Sequence, residues 1–303
     1  MAQVTLRLGR PLDLWATLGP LQHGPYDPTI HLTAGGLWRA SRTPQGPATL
    51  HAELRARERT VSAEAWGPGA AWELEHLPEL LGETDDPDAL RPVHPFLAEL
   101  ARRSAGLRLP RTNRLLEALL PAVCEQKITG LEAQRIYRRI VRAVGESGPG
   151  PAAATGLLLS PDPTRLAALP YHAFHPLGLE RRRAEVLIQL GRRATAIERL
   201  VAAVSDEARR GLVSLPGIGP WSAAEAIRIA LGDPDALSLG DYGLPSLVAW
   251  ALAGERQADD ERMLELLAPY AGQRARVVRL LEVAGAWPPR RGPRTEARRI
   301  EAL

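Results

Sequence analysis

Two periodicities divide the chain. Up to about residue 92, apolar and polar residues alternate in short runs, "TIHLTAGGLWRASR", "ATLHAELRARE" and "RTVSAEAWGPGAAWELEHL", punctuated by Gly and Pro. Alternation with period two between turn residues predicts half-buried strands of an antiparallel sheet. The stretch "AAWELEHLPELLG" predicts a helix packed on that sheet. From residue 93 the period lengthens: Leu116, Leu119, Leu120 and Val123 share one helical face, as do Ile136, Ile140 and Val144, and then Leu187, Leu190, Ala194, Ile197 and Val201. The breaks "GESGPGPAAATG" and "ALPYHAFHPLG" separate these helices, and no repeat of fixed period occurs. The predicted fold class is α+β: a small antiparallel sheet-plus-helix domain over 1–92, an all-helical domain over 93–287, and a loosely attached Pro- and Arg-rich tail over 288–303.

One helical junction stands apart. In "LVSLPGIGPWSAAEAIRIAL", Gly217 and Gly219 flank Ile218 after a proline, which predicts a sharp turn between two helices spanning about 206–230. Pro220 suits the first turn of the second helix. Free N–H groups at Gly217 and Gly219, together with the helix dipole, would form a phosphate site that reads backbone and not base sequence. A tight helix-helix turn with no ligand fits the glycines as well. Further on, Asp241 precedes "YGLPSLVAWAL", where Leu244, Leu247, Val248 and Leu252 have helical spacing. It reads as an N-cap, and a carboxylate fixed at a helix start is also well oriented for chemistry.

Composition narrows the classes. At 303 residues, 45% hydrophobic and 24% charged, the chain is that of a globular protein. No apolar run reaches the roughly 20 residues of a membrane span, and the start "MAQVTLRLGRPLDLW" lacks a signal-peptide pattern, so a cytoplasmic protein is expected. The single cysteine, Cys124, excludes an internal disulfide, all-cysteine zinc sites and iron-sulfur clusters. The net charge of +3 is unevenly spread: residues 1–97 hold 8 arginines and 12 acidic residues, leaving 30 basic and 23 acidic to the rest. Clusters at Arg138, Arg139 and Arg142, at Arg181 to Arg183, at Arg192 and Arg193, and at Arg274, Arg276 and Arg279 suit a polyanion, or are solvated helix faces. Lys127 is the only lysine.

The order "LPGIGPWSA", an apolar helix, then "GDY" resembles the helix-hairpin-helix DNA glycosylases, and within them the alkylated-base branch of the 3-methyladenine DNA glycosylase II type. "GLRLPRTNRLLEALLPAVCEQKIT" and "GLERRRAEVLIQLGRRA" are similar to further parts of that family, so the resemblance spans at least residues 105–283. It implies a monofunctional enzyme that flips a nucleotide from duplex DNA and hydrolyses the N-glycosidic bond of alkylated purines, 3-methyladenine first and 7-methylguanine second. Asp241 matches the carboxylate that stabilises the oxocarbenium ion, and Trp221 and Tyr242 match aromatics of the base pocket, with Tyr270 in "LAPYAGQRARVVRLL" set against a further pocket tryptophan. Glu225 stands where the family has a tyrosine. Gln126, Lys127 and Thr129 fall on the loop that enters the DNA, Lys127 replacing an apolar wedge. The hairpin, Gly217, Ile218 and Gly219, would bind a DNA phosphate, and the carbonyls of Val213, Leu215 and Ile218 would hold Na+ or K+ against it. No cofactor is expected for catalysis, and a monomer is expected. Trp221 also occupies the place of the Schiff-base lysine of glycosylases that cut the backbone. Two alternatives remain: a non-catalytic damaged-DNA-binding protein with the same hairpin, and a lyase-active glycosylase using Lys127.

Overall fold

The computed structural model describes residues 1–289. Most of the expected tail, 290–303, lies outside the described residues. Five antiparallel strands form one sheet in the order β1-β5-β4-β3-β2: β1 Ala2–Arg7, β2 Ile30–Leu32, β3 Gly36–Thr43, β4 Gly46–Arg55 and β5 Thr60–Trp66. The alternation in β5 buries Val61, Ala63 and Ala65 on one face while Ser62 and Glu64 are less buried on the other. Strand β1 was not signalled by the sequence pattern, because it is a mostly exposed edge whose residues simply extend β5, Val4 opposite Ala63. The predicted helix after β5 is two, Ala70–Glu75 and Leu77–Leu80, because Pro78 cannot continue the first and starts the second. Leu77, Leu80 and Leu81 close the core over Leu50, Ala52 and Ala63.

The sheet is clasped to the helices by charge. Arg39 of β3 pairs with Glu73 at 3.3 Å and with Glu117 of the helix Leu115–Glu125 at 3.0 Å. The other Glu117 oxygen accepts the Arg42 N–H at 2.7 Å. In such a buried network, removing one partner strands a charge and costs about 3–5 kcal/mol. Orientation is therefore strongly enforced, and the helix so anchored ends at the loop carrying Gln126 and Lys127.

The helices pack in two cores. The first gathers Leu115–Glu125, Gly130–Val144, Arg181–Arg192, Ser205–Val213 and Pro220–Ala230 around residues such as Leu119, Ile140, Leu187, Leu212 and Ile227. The second gathers Pro95–Arg103, Leu244–Ala253, Asp260–Leu267 and Arg274–Val283 around Leu97, Leu247, Met263 and Leu281. The expected run through Val201 breaks at Arg193 into Arg181–Arg192, a short helix Ala194–Arg199 and a 3-10 turn.

One expectation is corrected here. Arg274, Arg276 and Arg279 do not form an outward basic face: Arg274 pairs with Asp235, Arg276 is buried against Asp85, and Arg279 donates to the Ala16 carbonyl at 2.9 Å. Just ahead of the expected tail the chain is held in place. Ala286 packs on the second core and Trp287 lies against Gly243.

Candidate active site

The turn between helices Ser205–Val213 and Pro220–Ala230 is a true hairpin. Gly217 has φ +87, which L side chains rarely adopt, and a Cβ there would run into Val186 Cγ2. Ile218, 4% exposed, plugs into the first core and anchors the turn, a burial contributing about 1.5–3 kcal/mol. Gly219 is extended, and a Cβ there would meet nothing within 4 Å. Among the described residues no acceptor takes the N–H of Gly217, Gly219 or Trp221. Ile218 turns inward and leaves free amides and an open backbone at the start of an 11-residue helix, the arrangement that accepts an anion.

Asp241 holds the start of one helix and faces this one, although the N-cap position itself is taken by Gly243 and not, as expected, by Asp241. Its Oδ1 accepts the N–H groups of Gly243 at 2.7 Å and Leu244 at 3.0 Å, at the start of the second-core helix Leu244–Ala253. Its Oδ2 accepts the indole N–H of Trp221 at 2.9 Å. Trp221 belongs to the hairpin's second helix, so this bond joins the two helical cores. Three of the roughly four acceptor positions of a carboxylate are taken, and one on Oδ2 is free.

The loop after Leu115–Glu125 comes to the same place. Gln126 Nε2 donates to the Gly217 carbonyl at 3.0 Å and to the Ser222 hydroxyl at 2.9 Å, tying the loop to the hairpin. Buried Arg183 donates to the Cys124 carbonyl at 2.9 Å and fixes the helix end just before it. Lys127 follows with φ +57 and an exposed side chain. Thr129 is the N-cap of Gly130–Val144, its hydroxyl accepting the Glu132 N–H at 3.4 Å. Cys124 is buried, and burial pushes its thiol up to about 12 against a partly opposing Arg183, which removes it as a nucleophile.

Known proteins share this arrangement at the level of the fold. No protein-family model matches the chain. The DNA-3-methyladenine glycosylase 2 of Escherichia coli K12 is 28% identical over 178 residues, which cover 58% of this chain and 58% of that protein. A 3-methyladenine DNA glycosylase from Archaeoglobus fulgidus has TM-score 0.75 and 21% identity, covering 93% of this chain and 98% of that one. The Clostridium acetobutylicum 8-oxoguanine glycosylase/lyase, solved with double-stranded DNA, has TM-score 0.70 and 13% identity over 92% of this chain and 93% of that one. The chain spans about half the length of the curated relatives it matches. The chain has the fold of the helix-hairpin-helix DNA glycosylases.

Within that glycosylase fold, Glu225 and two of the expected pocket aromatics take unexpected positions. Glu225 lies one turn after Trp221, bonded to Arg228 at 2.6 Å and to the Ser238 hydroxyl. Burial alone would push its carboxyl up; Arg228 and Ser238 outweigh that and hold it below the ordinary range. Tyr242 points fully into solvent and lines no wall with Asp241. Tyr270 is not at the site. It is buried in the second core, where its hydroxyl accepts the His94 N–H at 3.2 Å, because the 3-10 turn holding it faces the helices and not the hairpin. Besides Trp221, the aromatic near this turn is Trp287, with a ring carbon 3.0 Å from where a Gly243 Cβ would sit. Sequence reading also missed His23, which the loop before β2 brings against Glu125 at 3.4 Å. Only its place in a short loop between Gln22 and Gly24 was visible in sequence.

Among the described residues no helix is long and apolar enough to cross a membrane, and no group of three or more His, Cys, Asp or Glu could hold a metal ion.

Proposed function

We propose that the protein is a monofunctional DNA glycosylase that hydrolyses the N-glycosidic bond of alkylated purines, 3-methyladenine and 7-methylguanine, in double-stranded DNA. The observation that carries this reading is Asp241, held by three N–H donors and braced by Trp221 beside a hairpin with unpaired amides. The hairpin amides take a backbone phosphate, a contact that positions the duplex without reading sequence. The damaged nucleotide rotates out of the stack toward Asp241. Alkylation at N3 or N7 gives the base a positive charge. As the bond from C1′ to the base breaks, the electron pair goes to the base and neutralises it, and the positive charge moves to the sugar. The fixed Asp241 carboxylate stabilises that charge where it develops. Water then bonds to C1′ and releases its proton.

The hairpin carbonyls suit a monovalent cation in their chemistry. Leu215 O accepts the Ile218 N–H at 3.0 Å, while no described donor takes Val213 O or Ile218 O, so hard oxygen ligands remain on the turn. Na+ or K+ held there would add positive charge next to the phosphate. Turnover itself needs no cofactor in this scheme. The protein acts as a monomer, in the cytoplasm where the chromosome is.

The test is release of free base from methylated duplex DNA, read by chromatography, with borohydride trapping on abasic DNA in parallel. Release of 3-methyladenine without a trapped adduct supports the reading. A trapped adduct would assign a lyase using Lys127. Tight binding with no release of any base would leave a damage-binding protein.

A further inference from the structure

Three elements far apart in sequence bring ionisable side chains together next to the helix that carries Trp221. Glu125 ends the helix Leu115–Glu125, Glu225 lies one helical turn after Trp221 on the same face, and His23 arrives on the loop preceding β2. His23 Nδ1 lies 3.4 Å from Glu125 Oε1, its ring meets Tyr137 edge-on at 5.1 Å, and its backbone N–H donates to Asp27 at 2.7 Å. The carboxyl side chains keep partial access, 32% exposed for Glu125 and 20% for Glu225. Behind His23 the cavity lined with Thr29, Glu117 and Tyr137 holds only about 40 Å³, room for water and not for a purine. That cavity is not where a base would sit. Glu225, which interacts with His23, shares a helix face with Trp221, and Trp221 bonds to Asp241, so the cluster connects to the Asp241 carboxylate through Glu225 and Trp221.

The charges there do not cancel. Carboxylates of Asp27, Glu125 and Glu225 face Arg228 and, when protonated, His23. The cluster is negative in either state of the imidazole. A purine alkylated at N3 or N7 is cationic until it leaves, whereas a deaminated purine such as hypoxanthine is neutral. We propose that the Glu125–His23–Glu225 cluster makes the site select damaged bases by formal charge, favouring cationic purines over neutral ones, with Glu125 as the specificity-determining residue. The sheet domain thereby contributes to substrate choice through His23. This rests on the glycosylase reading and goes beyond it, since that reading needs only Asp241 and the hairpin.

The experiment compares single-turnover release from duplexes holding one 7-methylguanine or one hypoxanthine. Glu125→Gln removes a charge but keeps the shape, and it lowers release of 7-methylguanine by roughly tenfold while leaving hypoxanthine within about twofold. Glu125→Asp restores most of the preference. His23→Asn, which removes the titrating cation, moves the ratio the opposite way at about pH 6. An unchanged ratio in Glu125→Gln, or the same direction of change in both charge variants, would overturn the proposal and leave a structural cluster. If the folded wild type releases neither base, the glycosylase reading itself fails and takes this inference with it. If it releases both with Asp241 required, that reading stands whatever the ratio does.

Discussion

Trp221→Phe separates positioning from packing. The change keeps an aromatic ring in the hairpin's second helix but deletes the indole N–H that reaches Asp241 Oδ2 at 2.9 Å. The Asp241 cap at Gly243 and Leu244 is untouched. A hydrogen bond to a charged group contributes about 1.5–3 kcal/mol, and water reaching this half-buried site replaces part of it, so the stability loss is about 1–2 kcal/mol. For a chain of 303 residues each kcal/mol moves Tm by roughly 1.5–2 °C. Catalysis suffers more, because a carboxylate held on one oxygen rotates and meets the developing sugar charge at a poorer angle. A loss of about 1.4–2.7 kcal/mol in transition-state stabilisation is a roughly 10- to 100-fold slower single-turnover release of 3-methyladenine. Binding to an undamaged duplex should hold within about twofold, since the hairpin amides remain. Wild-type release with a lowered Tm would refute the bracing role and reduce Trp221 to packing.

The two hairpin glycines should respond differently. Gly217→Ala lowers stability, by strain at φ +87 and collision with Val186, by at least about 1 kcal/mol in urea unfolding. Gly219→Ala, open on all sides, should leave stability within about 0.5 kcal/mol. It should nonetheless weaken binding to damaged and undamaged duplexes alike in fluorescence titrations. Lys127→Ala should lower affinity for an abasic-site analogue more than for intact duplex, with a shallower salt dependence, because the exposed side chain at the loop tip supports the gap by stem and charge. Equal affinities and an unchanged salt slope would retire that role. For His23, burial opposes the charged form, but Glu125, Asp27 and Glu225 outweigh it and raise the imidazole above 6.5. A raised folded-state value stabilises fully below the unfolded value and fades as pH rises through the folded one. The stability gap between wild type and His23→Asn should therefore be widest below about pH 6.5 and narrow as pH rises past the folded value; a gap that widens with pH would contradict the assignment.

What could be read from sequence was local. Gly217, Gly219 and Pro220 announce the hairpin because their backbone requirements are intrinsic, and Asp241 announces a helix start because a cap acts within three residues. What could not be read depends on partners far along the chain. Arg276 looks like surface charge until Asp85 comes to meet it across 191 positions. Tyr270 looks like a site aromatic until the second core closes on its ring, and Trp287 hides in a Pro- and Arg-rich segment with no periodicity to place it. Strand β1 has too few buried residues to carry a pattern and exists because β5 offers an open edge. His23 meets Glu125 because the Arg39 clasp sets the sheet against the helix that ends there.

The central claim is that the Asp241 carboxylate drives base release. The direct measurement is single-turnover release of 3-methyladenine from methylated duplex DNA by the wild type and Asp241→Asn side by side. The amide can still accept the Gly243 and Leu244 N–H groups and cap the helix, but it carries no charge to offer the sugar. Its NH2 group faces the Trp221 donor, so part of the stability of that contact goes too. Asp241→Asn should fold, bind duplex DNA with wild-type affinity and release base at least about 100-fold more slowly. Release by Asp241→Asn at near the wild-type rate would contradict that claim.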